Sequence, residues 1–176
     1  KTALILGFGH IGQRIGGYCQ TLGMEVMAVR RRPGKDILPG LRASVHPPGA
    51  LPELLPQADV LVITLPFTPE TDGLIGAKEL AMLPHDALLV NVGRGRIVDQ
   101  AALYQALKDR TILAAGLDVW YNYPSQPDMR QNTPPADFPF HELDNVVMSP
   151  HRGGDSTASE TLRMMHLAAL LNALER

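Results

Sequence analysis

Gly7-Phe8-Gly9-His10-Ile11-Gly12 sets three glycines at the GxGxxG spacing, after a short apolar run and before a helical one. At that spacing Gly7 permits a tight turn, Gly9 lets the backbone approach a pyrophosphate, and Gly12 lets a helix pack closely on a strand. The N–H groups at the helix start then face the anion. About 20 residues further on, such turns carry a carboxylate that accepts hydrogen bonds from a ribose 2′-hydroxyl. Here the chain reads Val29-Arg30-Arg31-Arg32 instead. A carboxylate would repel a 2′-phosphate, whereas guanidinium groups pair with one. Together these residues predict dinucleotide binding, with NADP (NADPH) preferred over NAD. The other reading of the arginines is a solvated basic turn.

A phosphate turn of this kind needs a strand before it and a helix after it. Residues 2–6 (TALIL) are apolar, and 11–22 carry apolar residues at helical spacing until Gly23 stops them. Residues 24–29 read as a second strand, and 59–65 (DVLVITL) as one buried on both faces, a pattern that 87–92 and 112–119 repeat. Helical stretches fall between them at 49–57, 77–83 and 99–108, the last opening at the N-cap Asp99. A strand at 145–149 precedes Pro150 and a last helix from about 155 to 174. Its Leu162, Met165, Ala169 and Leu170 form an apolar stripe, either core or subunit contact. Residues 121–142 hold five prolines and read as a long ordered loop. This alternation predicts an α/β, Rossmann-type, doubly wound, mostly parallel sheet with helices on both faces. Its ligands would sit at the carboxyl ends of the strands, near the topological switch point.

The 176 residues, 45% of them hydrophobic, suffice for one core, so 1–176 is expected to be a single dinucleotide-binding domain. A net charge of -2 offers no basic field for nucleic acid. No apolar run approaches the roughly 18 residues a membrane span requires. The single cysteine, Cys19, excludes an internal disulfide, and a reducing, cytoplasmic setting is expected. His46, His85, His141 and His166 are not grouped with cysteines or acids, so no metal is expected. The chain starts at Lys1, without an initiator methionine, and runs straight into a strand. We therefore expect a segment of a longer protein whose substrate domain lies elsewhere.

Four further segments carry a resemblance. Leu65-Pro66-Phe67-Thr68-Pro69-Glu70-Thr71 follows one strand, and Asn91-Val92-Gly93-Arg94-Gly95 follows another. Gly116-Leu117-Asp118-Val119 and Ser149-Pro150-His151-Arg152-Gly153-Gly154 complete the series. In order and spacing the chain resembles the cofactor-binding domain of D-2-hydroxyacid dehydrogenases. The resemblance implies an oxidoreductase that passes a hydride from NADPH to a small 2-oxo acid, of the glyoxylate or hydroxypyruvate type, to give a D-2-hydroxy acid. It makes Arg94 the substrate-orienting cation and His151 the acid/base, since an imidazole ordinarily titrates near 6.5. It sets Asp118 beside the nicotinamide, and His10, Ile11, Pro66, Thr71, Val92, Gly93, Gly153 and Gly154 along the cofactor. It also implies a homodimer for the full-length protein.

One position departs from that pattern. The family usually has a glutamate directly before the proline that follows Asp118-Val119, and this chain has Tyr123 before Pro124. A phenol cannot stabilise an imidazolium as a carboxylate does, so His151 is expected to be protonated over a lower pH range. Three outcomes stand side by side: Tyr123 orients the imidazole by a hydrogen bond, Glu142 or Asp144 swings in, or catalysis is lost or altered. Two alternative functions follow, a cofactor-sensing regulatory protein and the oxidation of a small anion such as formate. Arg152 reads either as a cofactor or substrate contact or as a surface residue. Trp120 and Tyr121 wall the pocket or cover the sheet edge.

Overall fold

Successive side chains of a strand point to opposite faces of its sheet, and in β1 (Thr2–Leu6) both faces are buried. Ala3 and Ile5 join one apolar cluster while Leu4 and Leu6 join another. β2 (Glu25–Val29) repeats this sorting, with Val26 and Ala28 on the first side and Met27 and Val29 on the second. The computed structural model describes residues 1–154 and 156–174. Beyond β2 it contains β3 (Ser44–His46), β4 (Val60–Ile63), β5 (Leu88–Asn91), β6 (Ala114–Leu117) and β7 (Val146–Met148).

The seven described strands lie in the order β3-β2-β1-β4-β5-β6-β7, and every neighbouring pair is parallel. The expectation of a mostly parallel sheet is therefore tightened to an all-parallel one. The chain works outward from β1 to β3 and returns on the other side of β1 as β4, so the switch point lies between β1 and β4. A crevice must open above their carboxyl ends.

The helix α1 (His10–Thr21) covers one face, where its Cys19 meets Phe8 and Val26. On the other face lie α2 (Leu51–Leu54), α3 (Ala77–Met82) and α4 (Gln100–Lys108), contributing Leu54, Leu80, Leu103 and Leu107 to the larger cluster. Pro52 and Pro56 keep α2 to one turn between two 3₁₀ turns, because proline lacks the N–H a longer helix needs. Asp99 caps α4 by accepting from Ala102 N–H at 2.8 Å.

Four features differ from expectation or refine it. β3 was not foreseen, and the strands other than β1 are shorter than the apolar runs that announced them. The long loop contains two 3₁₀ turns, Pro127–Gln131 and Phe140–Glu142, the second burying Phe140. α5 (Thr157–Leu174) has Leu162, Met165 and Leu170 exposed, so its apolar stripe joins neither cluster.

Candidate functional site

β1 delivers the chain into Gly7, whose φ of +95° lies in the region that suits glycine. Gly12 tolerates nothing larger, because a Cβ there would lie 2.1 Å from the carbonyl oxygen of Gly7. That contact is the close crossing of α1 over β1. From the end of β4, the Thr64 hydroxyl donates to the same carbonyl and locks the two sides of the switch point together. Gly9 has no atom within 4 Å of where a side chain would start, so the space above it is open. α1 begins there with no side-chain cap and no acidic residue in its first turn. Its leading N–H groups and the positive end of its dipole thus face the crevice, where an anion is favoured. His10 and Ile11 are exposed at this helix start.

The arginines at the end of β2 divide the work. Arg30 is half-buried and its guanidinium lies 5.9 Å from the centre of the Phe8 ring. It donates to the carbonyls of Phe8 and Asp36 at 3.4 Å, to Pro33 at 2.9 Å, and also to Lys35. Arg30 is thus a clasp that ties residues 33–36 to the glycine turn. Arg31, Arg32 and Lys35 are exposed, and with Phe8, Gly9, His10 and Gln13 they border an open cavity of about 780 Å³. Arg31 also borders a second, mainly apolar cavity of about 470 Å³, whose walls include Val29, Leu51, Leu65 and Leu74. A flat apolar group in the second and a phosphate in the first would meet at Arg31. The sequence points to Arg30 and Arg31 here, whereas Lys35 is brought into place only by the fold of 33–36.

Pro66 and Thr71 lie on the loop after β4, at the rim of the apolar cavity. The Thr71 hydroxyl donates to the Pro66 carbonyl at 2.9 Å and accepts from Thr68 N–H at 2.8 Å, so it shapes that loop from within. Glu70 sits on the same rim. The Thr68 hydroxyl, its own N–H and then the charge of Arg31 hold its carboxyl below the usual range.

The candidate reacting groups come from the next three strand ends, spaced about 5 Å apart as neighbouring strands are. After β5, the buried side chain of Asn91 accepts from Gly93 N–H and donates to the Arg94 carbonyl, both at 3.0 Å. This turn leaves Arg94 extended and exposed, one guanidinium nitrogen on the Gly93 carbonyl at 2.6 Å. Val92 is half-buried and Gly93 buried, its would-be Cβ 2.8 Å from the Leu65 carbonyl. Asn91 was not singled out as functional; its burial in a strand end is the signal.

After β6, the carboxylate of Asp118 reaches into the turn that carries His151. One of its oxygens accepts from the Ser149 hydroxyl and from Arg152 N–H at 2.9 Å, the other from Gly153 N–H at 2.9 Å. A Cβ on Gly153 would lie 2.8 Å from that second oxygen, so a side chain there would have to displace the Asp118 carboxylate. Burial pushes the Asp118 carboxyl up, but the Ser149, Gly153 and Arg152 bonds and the nearby His151 outweigh it and hold it below the usual range. His151 has φ +58°, unusual outside glycine, and the Asp118 bonds on the next two residues hold that bend. Gly154 is exposed beside it.

Tyr123 projects from the loop after β6 so that its hydroxyl is 2.9 Å from His151 Nδ1 and 3.0 Å from Trp120 N–H. Trp120 is buried against Phe140, and its indole donates to the Ser149 carbonyl at 2.8 Å, tying this loop to the turn after β7. Tyr121 stacks on Phe140 in the same cluster. Asp144 pairs with Arg110 and, like Glu142, precedes β7, at the opposite end of that strand from His151. Neither carboxylate is brought to the imidazole. Among the described residues, no group of His, Cys, Asp and Glu could hold a metal ion, and no helix is long and apolar enough to cross a membrane.

Comparison with known proteins agrees with this geometry. A glyoxylate/hydroxypyruvate reductase B of Yersinia pestis is 40% identical over 178 aligned residues, covering 99% of this chain and 50% of that protein. A glyoxylate reductase of Aeropyrum pernix is 38% identical over 96% of this chain and 47% of its own length. The chain thus spans about half the length of these relatives. An NADPH-dependent glyoxylate/hydroxypyruvate reductase from Sinorhizobium meliloti, solved with NADP and sulfate, superposes with a TM-score of 0.79 at 25% identity, over 98% of this chain and 52% of the other. Residues 1–153 match the D-isomer specific 2-hydroxyacid dehydrogenase, NAD binding domain, and the chain belongs to that family.

Proposed function

We propose that this chain is the cofactor half of an oxidoreductase that uses NADPH to reduce a small 2-oxo acid, of the glyoxylate or hydroxypyruvate class, to the D-2-hydroxy acid. The observation that carries the reading is Arg31, exposed between the apolar cavity and the basic cavity beside the glycine turn. Adenine suits the first, and a 2′-phosphate suits the Arg31, Arg32 and Lys35 cluster in the second. The pyrophosphate would lie over Gly9 and the start of α1. The solved relative that contains NADP supports the same choice.

Bound across the crevice, the nicotinamide supplies the hydride. Arg94 holds the substrate carboxylate with a planar fork and polarises the carbonyl beside it. His151 gives a proton to the oxygen as it gains charge. Asp118 keeps the His151 turn folded. Tyr123, in place of a carboxylate, also favours a second reading, a cofactor-sensing protein with impaired catalysis.

Assay of the whole protein with NADPH and NADH against a panel of 2-oxo acids, and with NADP⁺ and NAD⁺ for formate oxidation, separates the readings. Turnover of glyoxylate or hydroxypyruvate with NADPH is expected. NADPH binding without turnover on any substrate would favour the sensor, and formate oxidation would favour the small-anion enzyme.

A further inference from the structure

We infer that Tyr123 is a positioning residue that sets His151 in the tautomer with its proton on Nε2, the nitrogen turned away from Tyr123; the inference rests on the reading of His151 as proton donor. Among the described residues the Tyr123 oxygen has two polar neighbours, Trp120 N–H at 3.0 Å and His151 Nδ1 at 2.9 Å. A backbone N–H can only donate, so it occupies one lone pair of the phenol oxygen. The phenol proton then points to the acceptor within reach, which is Nδ1. A neutral imidazole whose Nδ1 accepts carries its single N–H on Nε2.

Among the described residues, the charged groups around the ring leave this arrangement intact. Asp118, across the turn, accepts from Ser149, Arg152 and Gly153. Glu160 and Arg163 of α5 share a small cavity with His151 and pair with each other at 3.1 Å. Arg152 adjoins His151 in sequence and lends its N–H to Asp118. Among the described residues, Tyr123 is therefore the side chain bonded to Nδ1.

A carboxylate at this position could only accept, and would favour the charged ring. A hydroxyl donates to the neutral ring, and by rotating its O–H it can accept from the charged one. As Nε2–H breaks and the proton passes to the substrate oxygen, Nδ1 takes the phenol proton. The Nδ1 proton then returns to the phenolate as Nε2 takes a proton from water, which restores the Nε2–H tautomer.

The tautomer is read in the whole protein labelled with ¹⁵N-histidine, above the imidazole titration, with His151→Gln identifying the resonances. The native protein is expected to show one tautomer, Nε2–H, and Tyr123→Phe the mixture of a free imidazole. In kinetics Tyr123→Phe should lower kcat roughly 10- to 100-fold, short of the ~10⁴-fold seen when the wrong tautomer is enforced. The KM for NADPH should not move. Tyr123→Glu should shift the pH profile of reduction to higher pH. A single Nε2–H tautomer in Tyr123→Phe, with native kcat and pH profile, would overturn the inference. If the native protein reduces no 2-oxo acid, the proposed function fails while the tautomer spectra still decide the role of Tyr123.

Discussion

At the scale of single residues, the site depends on side chains that act on backbone more than on ligands. Arg30 spends its guanidinium on four carbonyls, so Arg30→Ala should loosen residues 33–36 and weaken NADPH and NADH binding alike, a loss titration calorimetry would register for both. Asn91→Ala leaves Gly93 N–H and the Arg94 carbonyl without their partner in a buried turn, and should cost about 1–3 kcal/mol in chemical denaturation. Asp118 gives a pH-dependent prediction. Its folded carboxyl lies below its unfolded value, so its stabilisation is present above that unfolded value and is lost as pH falls through the folded one. The stability gap between the native chain and Asp118→Asn, measured by urea denaturation, should be full at neutral pH and close as pH drops below about 4. An unchanged gap at pH 3 would mean that the carboxylate bonds contribute nothing.

At the scale of elements, legibility followed length and periodicity. β1, α1 and α4 stood out in the sequence because apolar runs and helical spacing are bounded by Gly7, Gly23 and the Asp99 cap. β3 did not, because Ser44-Val45-His46 is three residues with one apolar side chain, and it forms only because β2 offers an open edge. The glycine turn was legible in full, since its chemistry is local. The role of Arg30 was not, because its direction is set by the carbonyls of residues 33–36 that it binds. Tyr123 could be flagged from its place before Pro124, but its bond to His151 needs β6 and β7 to be neighbours. The crossing of α1 over β1 is the least tolerant element contact. Gly12→Ala drives a methyl group into the Gly7 carbonyl, and should lower the melting temperature and abolish cofactor binding together.

At the scale of the whole molecule, the carboxyl edge of one parallel sheet gathers every candidate group. The phosphate turn follows β1, the cations follow β2, the loop with Pro66 and Thr71 follows β4, and Arg94, Asp118 and His151 follow β5, β6 and β7. The chain covers about half the length of its relatives, and on the proposed reading substrate choice belongs to the whole protein. On the proposed reading, cofactor choice belongs to this half and turns on Arg31. The most direct test is the ratio of kcat/KM for NADPH over NADH in hydroxypyruvate reduction by the whole protein, native and Arg31→Asp. The expected result is a native preference for NADPH that falls roughly 10- to 100-fold in the variant, with NADH rates little changed. Equal native rates with the two cofactors, or an equal loss for both in Arg31→Asp, would contradict it.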